Sequence, residues 1–531
     1  MRDWVESLVE RIKPLETAVN RAWWDAAVTG SHADYERLER FRNELDDLFR
    51  DPAVAEPLAR ARDASPDDPA LARSIELLWL EALPRQVDAA LSERINRLAT
   101  EIERDFAIYR PCFEGSDTSQ NDLEEVLARE TDEARLREAW EALKTVGPRV
   151  APRLRELVEL RNTAARAVGH DDFWRLKLAL GEQDPDAVGT VFDRLDALTA
   201  EPFRELKDEI DERLAARLGV EPAGLRPWHY QDPFFQGAPA VFGVDLDGFY
   251  ETVDLVDVAR RFFAGIGLDV EAILASSSLY EAPGKDPHAF ATDIDREGDI
   301  RILLNLRPNE RWMGTTLHEL GHAVYDAGID PALPWLLRRP AHTVTTEAMA
   351  MLFGRLSKSA DWMRDMGVVG VDDADALREP TSRELRAQML VFSRWAQVMM
   401  RFERGLYADP DQDLEALWWS LVERNQLVER PDRPEGTADW ASKIHVVAAP
   451  VYYHNYLLGE CFASQVDAAL QAEVLAAEAT YCGNAAVGEW LAEHVFRPGG
   501  SWHYDELSRR ATGAPIAPEA FAEQFLAEVP R

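Results

Sequence analysis

From the N-terminus to about Val220, apolar residues recur every three or four positions, and this period commits the chain to helices. The stretch ALARSIELLWLEALPRQVDAALSERINRLATEIERDF shows it plainly, interrupted at Pro84, whose ring cannot continue a helix. Segments around 119–145, 148–168 and 185–218 repeat the pattern, with acidic and Arg-rich outer faces that read as solvated surface. No fixed-length repeat runs through them, so a solenoid is not expected. The rhythm breaks at PAGLRPWHYQDPFFQGAPAVFG, residues 222–243, which is rich in Pro, Gly and aromatics. We read it as a loop crossing between two lobes, its aromatics packing the junction. Helical periods resume near Leu246 and run to Leu279. Then FATDI and DIRILLNL alternate apolar and other residues around DREG. They predict an antiparallel hairpin in which Phe290, Thr292 and Ile294 face Ile300, Ile302 and Leu304. The expected class is mainly α, two-lobed, with one small antiparallel sheet.

Composition narrows the function. The 96 Asp and Glu against 59 Lys and Arg, a net charge of −37 over 531 residues, argue against a nucleic-acid binder, which needs a basic face. The same balance disfavours docking on anionic membranes, and no apolar run is long enough to span one. Cys112, Cys461 and Cys482 lie far apart, which removes a disulfide framework or a thiolate zinc site and fits a reducing compartment. The opening MRDWVESLVERIKPLE is an acidic amphipathic helix without the features of a secretory leader. A cytoplasmic location is the expectation.

The segment RWMGTTLHELGHAVYDAG carries the chemistry. Met313, Leu317, Leu320, Val324 and Ala327 form a helical stripe, and Gly328 and Pro331 supply stop signals. His318 and His322 stand one turn apart, so both imidazoles can meet one ion. Glu319 projects about 100° round the axis from His318 and can reach a metal-bound water. A catalytic zinc needs a third protein ligand and an open position. Downstream, DPALPWLLRRPAH is broken by prolines, and TVTTEAMAMLFGRL starts a second helix with Thr345 or Thr346 as its cap and Glu347 in its first turn. Met349, Leu352, Phe353 and Leu356 give that helix its apolar face. Glu347, 29 residues after His318, suits the third ligand; His342, in the connecting loop, is the alternative.

The order of HExxH, Pro-broken loop and Glu-bearing helix resembles the gluzincin metallopeptidases. Within them it resembles the angiotensin-converting-enzyme-like (M2) family, related to the M3 oligopeptidases. Three further segments carry the resemblance: His288-Ala289 ahead of the motif, Leu337-Arg338-Arg339 before the Glu helix, and SKIHVVAAPVYYHNYLLGECFASQ, with its Lys-x-His and spaced tyrosines. It covers roughly residues 160–470 in motif order.

The resemblance implies one Zn²⁺ per chain held by His318, His322 and Glu347, with Glu319 as general base. It implies that His445 and Tyr456, with Tyr453, contact the scissile region. Lys443 would bind a substrate's C-terminal carboxylate, and His288 and Ala289 would hydrogen-bond the peptide from a strand. It also implies a single two-lobed peptidase domain over 1–531, with a deep central channel that admits short peptides. Its zinc-site segments would lie at 286–356 and 440–470, with the sheet near the active site. Two departures stand out: the spacing from His445 to the tyrosines is one residue off, which leaves Tyr452 as a rival to Tyr453, and Met351 stands where the family has Asp. The reading implies a peptidyl-dipeptidase, with an M3-like oligoendopeptidase or an inert peptide-binding helical protein as alternatives. No nucleic-acid or membrane partner is expected; the oligomeric state stays open, and a monomer is compatible with it.

Overall fold

The computed structural model describes residues 1–476 and 479–526. The chain is mainly α, and its contacts divide it into two compact units, each assembled from separate stretches of sequence. One comprises Met1–Gln86, Asp245–Ser382 and Leu458–Phe521; the other comprises Val87–Val244, Arg383–Leu457 and Ala522–Arg531. No described helix is long and apolar enough to cross a membrane.

The first unit opens on a long helix, Arg2–Thr29, followed by His32–Arg50, Pro52–Asp63 and Pro69–Ala82. Their apolar faces meet in a core that includes Val5, Ile12, Leu58 and Leu78, closed by Trp335 and Leu336. The fourth helix ends before Pro84, and the chain tightens into a 3₁₀ turn over Leu83–Gln86, as a ring without an amide hydrogen requires. The helical patterns between Leu246 and Leu279 are present as three short helices: Asp247–Tyr250, Leu255–Gly265 and Glu271–Ser276.

The expected hairpin is present as Phe290–Asp293 paired antiparallel with Ile300–Leu303, but the facing residues differ. Phe290 pairs with Leu303, Ala291 with Ile302 and Asp293 with Ile300. Phe290 and Thr292 therefore do not share a face with Ile300 and Ile302, because a shift of one residue reverses every side chain. The turn sets this register. Asp293 Oδ1 accepts the amides of Asp295 and Arg296, Ile294 N donates to Asp299 O, and Arg296 and Gly298 take positive φ. Six residues thus close the turn, where the DREG reading supposed four. Phe290 stacks on Trp23, ring centroids 4.3 Å apart, and Ile294 and Leu303 bury themselves against Trp24 and Ala27. The sheet is thereby fixed to the first helix.

The second unit packs helices Ala89–Ile108, Gln120–Arg129, Glu133–Lys144, Val146–Ala167 and Pro185–Leu218 with parts of longer later ones. It also holds a second small sheet that the sequence did not predict, Cys112–Phe113 with Ser116–Asp117. Two-residue strands show no alternation to detect; the turn signal is Glu114-Gly115, both at positive φ. The aromatic loop at 222–243 forms 3₁₀ turns at Pro222–Gly224 and Pro227–His229. It is tied down by Trp140 Nε1, which donates to Pro233 O, and by Gln426 Nε2, which donates to Phe235 O.

Candidate metal centre and substrate-site residues

The HExxH helix runs Glu310–Gly328 and is capped by Asn309, whose side chain accepts the Trp312 amide. Met313, Leu317, Leu320 and Val324 are buried as the stripe requires. Ala327, in the last turn of the helix, is exposed although Tyr325 and Ile329 on either side of it are buried. The second helix, Thr343–Gly354, is capped neither by Thr345 nor by Thr346 but by His342. The His342 ring accepts the Val344 amide while Thr345 Oγ1 accepts the His342 amide. That reciprocal box commits His342 to the helix start and leaves Glu347 as the donor beside the histidines. Met349, Leu352 and Phe353 are buried, whereas Leu356 lies past the helix in a 3₁₀ turn, half-buried.

The two helices cross in very close contact. A Cβ at Gly321, the glycine of HELGH, would stand 2.7 Å from Ala350 Cα and 2.9 Å from Met349 O. No larger residue fits without separating the backbones. On its other side, Glu347 is approached by the helix Tyr453–Glu473 at Gly459, where a Cβ would stand 3.2 Å from Glu347 Cβ.

This crossing brings His318 Nε2 to 3.8 Å and His322 Nε2 to 3.9 Å from Glu347 Oε2. The three donor atoms lie within 4.8 Å of one another. Donors around a tetrahedral ion bound at ~2.1 Å sit about 3.4 Å apart, so small side-chain movements suffice to close on one cation. The donor chemistry fits too. Burial pushes His318 down to about 4, and burial with the neighbouring His318 pushes His322 down to about 3. Both imidazoles are thus neutral and keep a lone pair. His322 Nδ1 lies 2.7 Å from Thr346 Oγ1, which suits a tautomer with its proton on Nδ1 and its lone pair on Nε2. Thr346 thus holds the His322 ring by a side-chain hydrogen bond. The sequence signal was a threonine directly before Glu347, read there only as a cap.

Glu319 is 7% exposed. Burial and then the Glu347 carboxylate push it up to about 8, against a hydrogen bond from the Ala291 backbone N–H. The strand Phe290–Asp293 therefore serves the motif glutamate directly. His288 and Ala289 precede that strand rather than lying in it. The His288 side chain is 89% exposed, its Nδ1 3.2 Å from Asp286 Oδ1. Arg339 of the Leu-Arg-Arg segment pairs with Glu81, and Arg338 Nε donates to Leu333 O.

The remaining sequence-derived residues gather in the second unit. Lys443 is buried, donates to Gln236 Oε1 at 2.7 Å, and stands 5.0 Å from the Phe234 ring centre and 5.7 Å from that of Tyr453. Burial lowers it to about 8, against the pull of Asp232 and Glu124. Gln236 was not foreseen; it is aimed by Asp232, which accepts both its side-chain and its backbone N–H. The His445 ring lies 5.1 Å from that of Tyr453, and burial with the Lys443 charge pushes it down to about 4. Tyr453 lies beside His445 and Lys443 and packs against Tyr456, ring centres 5.6 Å apart, which in turn packs against Tyr452 at 5.0 Å. Lys443, His445 and Gln236 line a cavity of about 390 Å³ with Phe106, Phe234 and Glu124. The following helix begins at Tyr453, and Val451, two residues before it, takes φ 57°.

Against known families, the chain matches the peptidase M2 model, described as angiotensin-converting enzyme, over residues 1–198 and 247–519. The match includes both helices of the candidate metal centre and the 443–456 segment; Gln236 lies outside it.

Proposed function

Because the chain belongs to the peptidase M2 (angiotensin-converting enzyme) family and is by that membership a metallopeptidase, we propose that it is a zinc peptidase releasing dipeptides from the free C-terminus of short peptides. The observation that carries the metal assignment is the convergence of two neutral imidazoles and a carboxylate within 4.8 Å. His318, His322 and Glu347 would hold the ion. When bound, zinc supplies Lewis acidity, polarising a peptide carbonyl and lowering the pKa of the attacking water towards neutrality.

Glu319, outside this donor set, would be returned to its carboxylate form by the charge of a cation at the adjacent donors, which offsets the Glu347 charge that, after burial, raises it. It then takes a proton from the attacking water and hands it to the departing amine. Ala291 N–H keeps one carboxylate oxygen in place during that exchange. His445 and Tyr456 are the hydrogen-bond donors assigned to the developing oxyanion, by the family resemblance and by their sequence positions. Lys443, Gln236 and Tyr453 would receive the terminal carboxylate. The Lys443 ammonium has already lost its hydration on folding, so the incoming carboxylate's own desolvation is what the charge-assisted hydrogen bonds must offset.

Product analysis tests the exopeptidase reading. An octapeptide with a free C-terminus is expected to lose a dipeptide, and its C-terminally amidated form to resist. Lys443→Met should raise KM for the free peptide at least tenfold with little change in kcat. Internal cleavage indifferent to amidation would instead make the enzyme an oligoendopeptidase, and no cleavage of either peptide would favour an inert binding protein.

Thr346→Val tests the metal assignment separately. It keeps the volume and removes the partner of His322 Nδ1, and groups that orient a ligand in this way are typically worth 10–100-fold in affinity. Chelator competition is expected to show zinc bound about 10–100-fold more weakly, with Glu347 and the fold undisturbed.

A further inference from the structure

The segment from His445 to Tyr453 is held from beneath by two buried charged side chains. Arg161, on the helix Val146–Ala167, donates to Val446 O at 3.2 Å, to Val447 O at 2.7 Å and to Tyr407 Oη at 3.2 Å. Glu403, on the helix Val371–Ala408 and 2% exposed, accepts the Val451 amide at 2.7 Å. Val451 has φ 57° and is the β-branched residue among the described non-glycine residues at positive φ. Such a residue is a genuine outlier in the left-handed region and persists only where its surroundings over-determine it. Here they do, and the strained residue falls where the sequence spacing between His445 and the tyrosines is one residue off.

The His445 ring cannot set its own position by hydrogen bonding through Nδ1, which is buried without a partner among the described residues. Its placement therefore depends on the backbone that carries it and on its contact with the Tyr453 ring.

We infer that Arg161 and Glu403 are positioning residues: Arg161 fixes the carbonyls after His445, and Glu403 holds Val451 left-handed, so that His445 and Tyr453 are presented in one defined relation. The inference rests on the reading of those two residues as substrate-contacting groups. Neither Arg161 nor Glu403 itself need touch substrate. A carboxylate buried among Arg161, Lys177 and Tyr407 serves here as an acceptor for one amide, a task that a neutral amide side chain can also perform.

The test compares Glu403→Leu, Glu403→Gln and Glu403→Leu combined with Val451→Gly, in the full-length zinc-loaded protein. Glu403→Leu is expected to lower kcat about 10–100-fold, the scale of an ångström-sized misplacement, with KM within about twofold and zinc content unchanged. Glu403→Gln retains the acceptor and should recover most of that loss. Glycine occupies the left-handed region without strain, so the double variant should regain at least about fivefold over Glu403→Leu. Hydrogen exchange of the peptide spanning 446–453 should speed up in Glu403→Leu and slow again in Glu403→Gln. Leu and Gln variants impaired alike, with no gain from glycine, would overturn the inference, as would an unchanged Val451 amide in Glu403→Leu. Absence of peptidase activity in the wild-type protein would count instead against the functional reading, and the exchange experiment would still decide whether Glu403 holds the turn.

Discussion

Glu319→Gln is expected to lower turnover of a fluorogenic short peptide by about 10²–10⁴-fold, the range typical of a lost general base, while zinc stays bound. The substitution nearly preserves shape, and its side-chain oxygen can still accept the Ala291 amide that reaches this position. What is lost is a group able to take up and return a proton. Glu319 does not belong to the His318, His322 and Glu347 cluster, so metal content should match the wild-type protein. Parallel measurement of kcat and zinc content separates the two effects. Activity retained in the variant would remove Glu319 from the reaction, and zinc lost together with activity would place it among the ligands.

The second large effect concerns a residue with no functional group. Gly321→Ala puts a methyl 2.7 Å from Ala350 Cα and 2.9 Å from Met349 O. Backbone atoms of a packed helix cannot swing aside as a long side chain can. The crossing helices must separate, and overpacking of this kind typically costs about 1–3 kcal/mol. The same movement draws Glu347 away from both histidines, so affinity for zinc should fall along with stability. A ligand that binds the folded state raises the melting temperature according to its occupancy. Thermal unfolding is therefore expected to show a lower Tm without added metal and a smaller zinc-induced rise than in the wild-type protein. An unchanged Tm and an unchanged zinc response would mean that the helices do not need this close approach.

Sequence made much of the metal centre legible because its information is local. Two histidines four apart on an amphipathic helix must share a side, whatever surrounds them. Glu347 was identifiable because the helix after a Pro-broken loop has few carboxylates to offer. What escaped depended on side chains distant in sequence, or on geometry that residue types do not encode. The hairpin register lies one residue away from the one that alternation suggests, because Asp293 extends the turn through side-chain hydrogen bonds. His342 as a cap and Thr346 as the partner of His322 rest on rotamers that spacing does not determine. Gln236 meets Lys443 across 207 positions, and Arg161 reaches Val447 across 286. Neither pairing leaves a periodic trace.

The central claim is a divalent ion held by two imidazoles and one carboxylate. Zinc-edge X-ray absorption on purified, dialysed protein tests it most directly. The account predicts about one zinc per chain in a shell of nitrogen and oxygen at ~2.0–2.2 Å, disappearing in Glu347→Ala and His322→Ala. Protein that binds no zinc, or whose zinc shows sulfur neighbours near 2.3 Å, would contradict it.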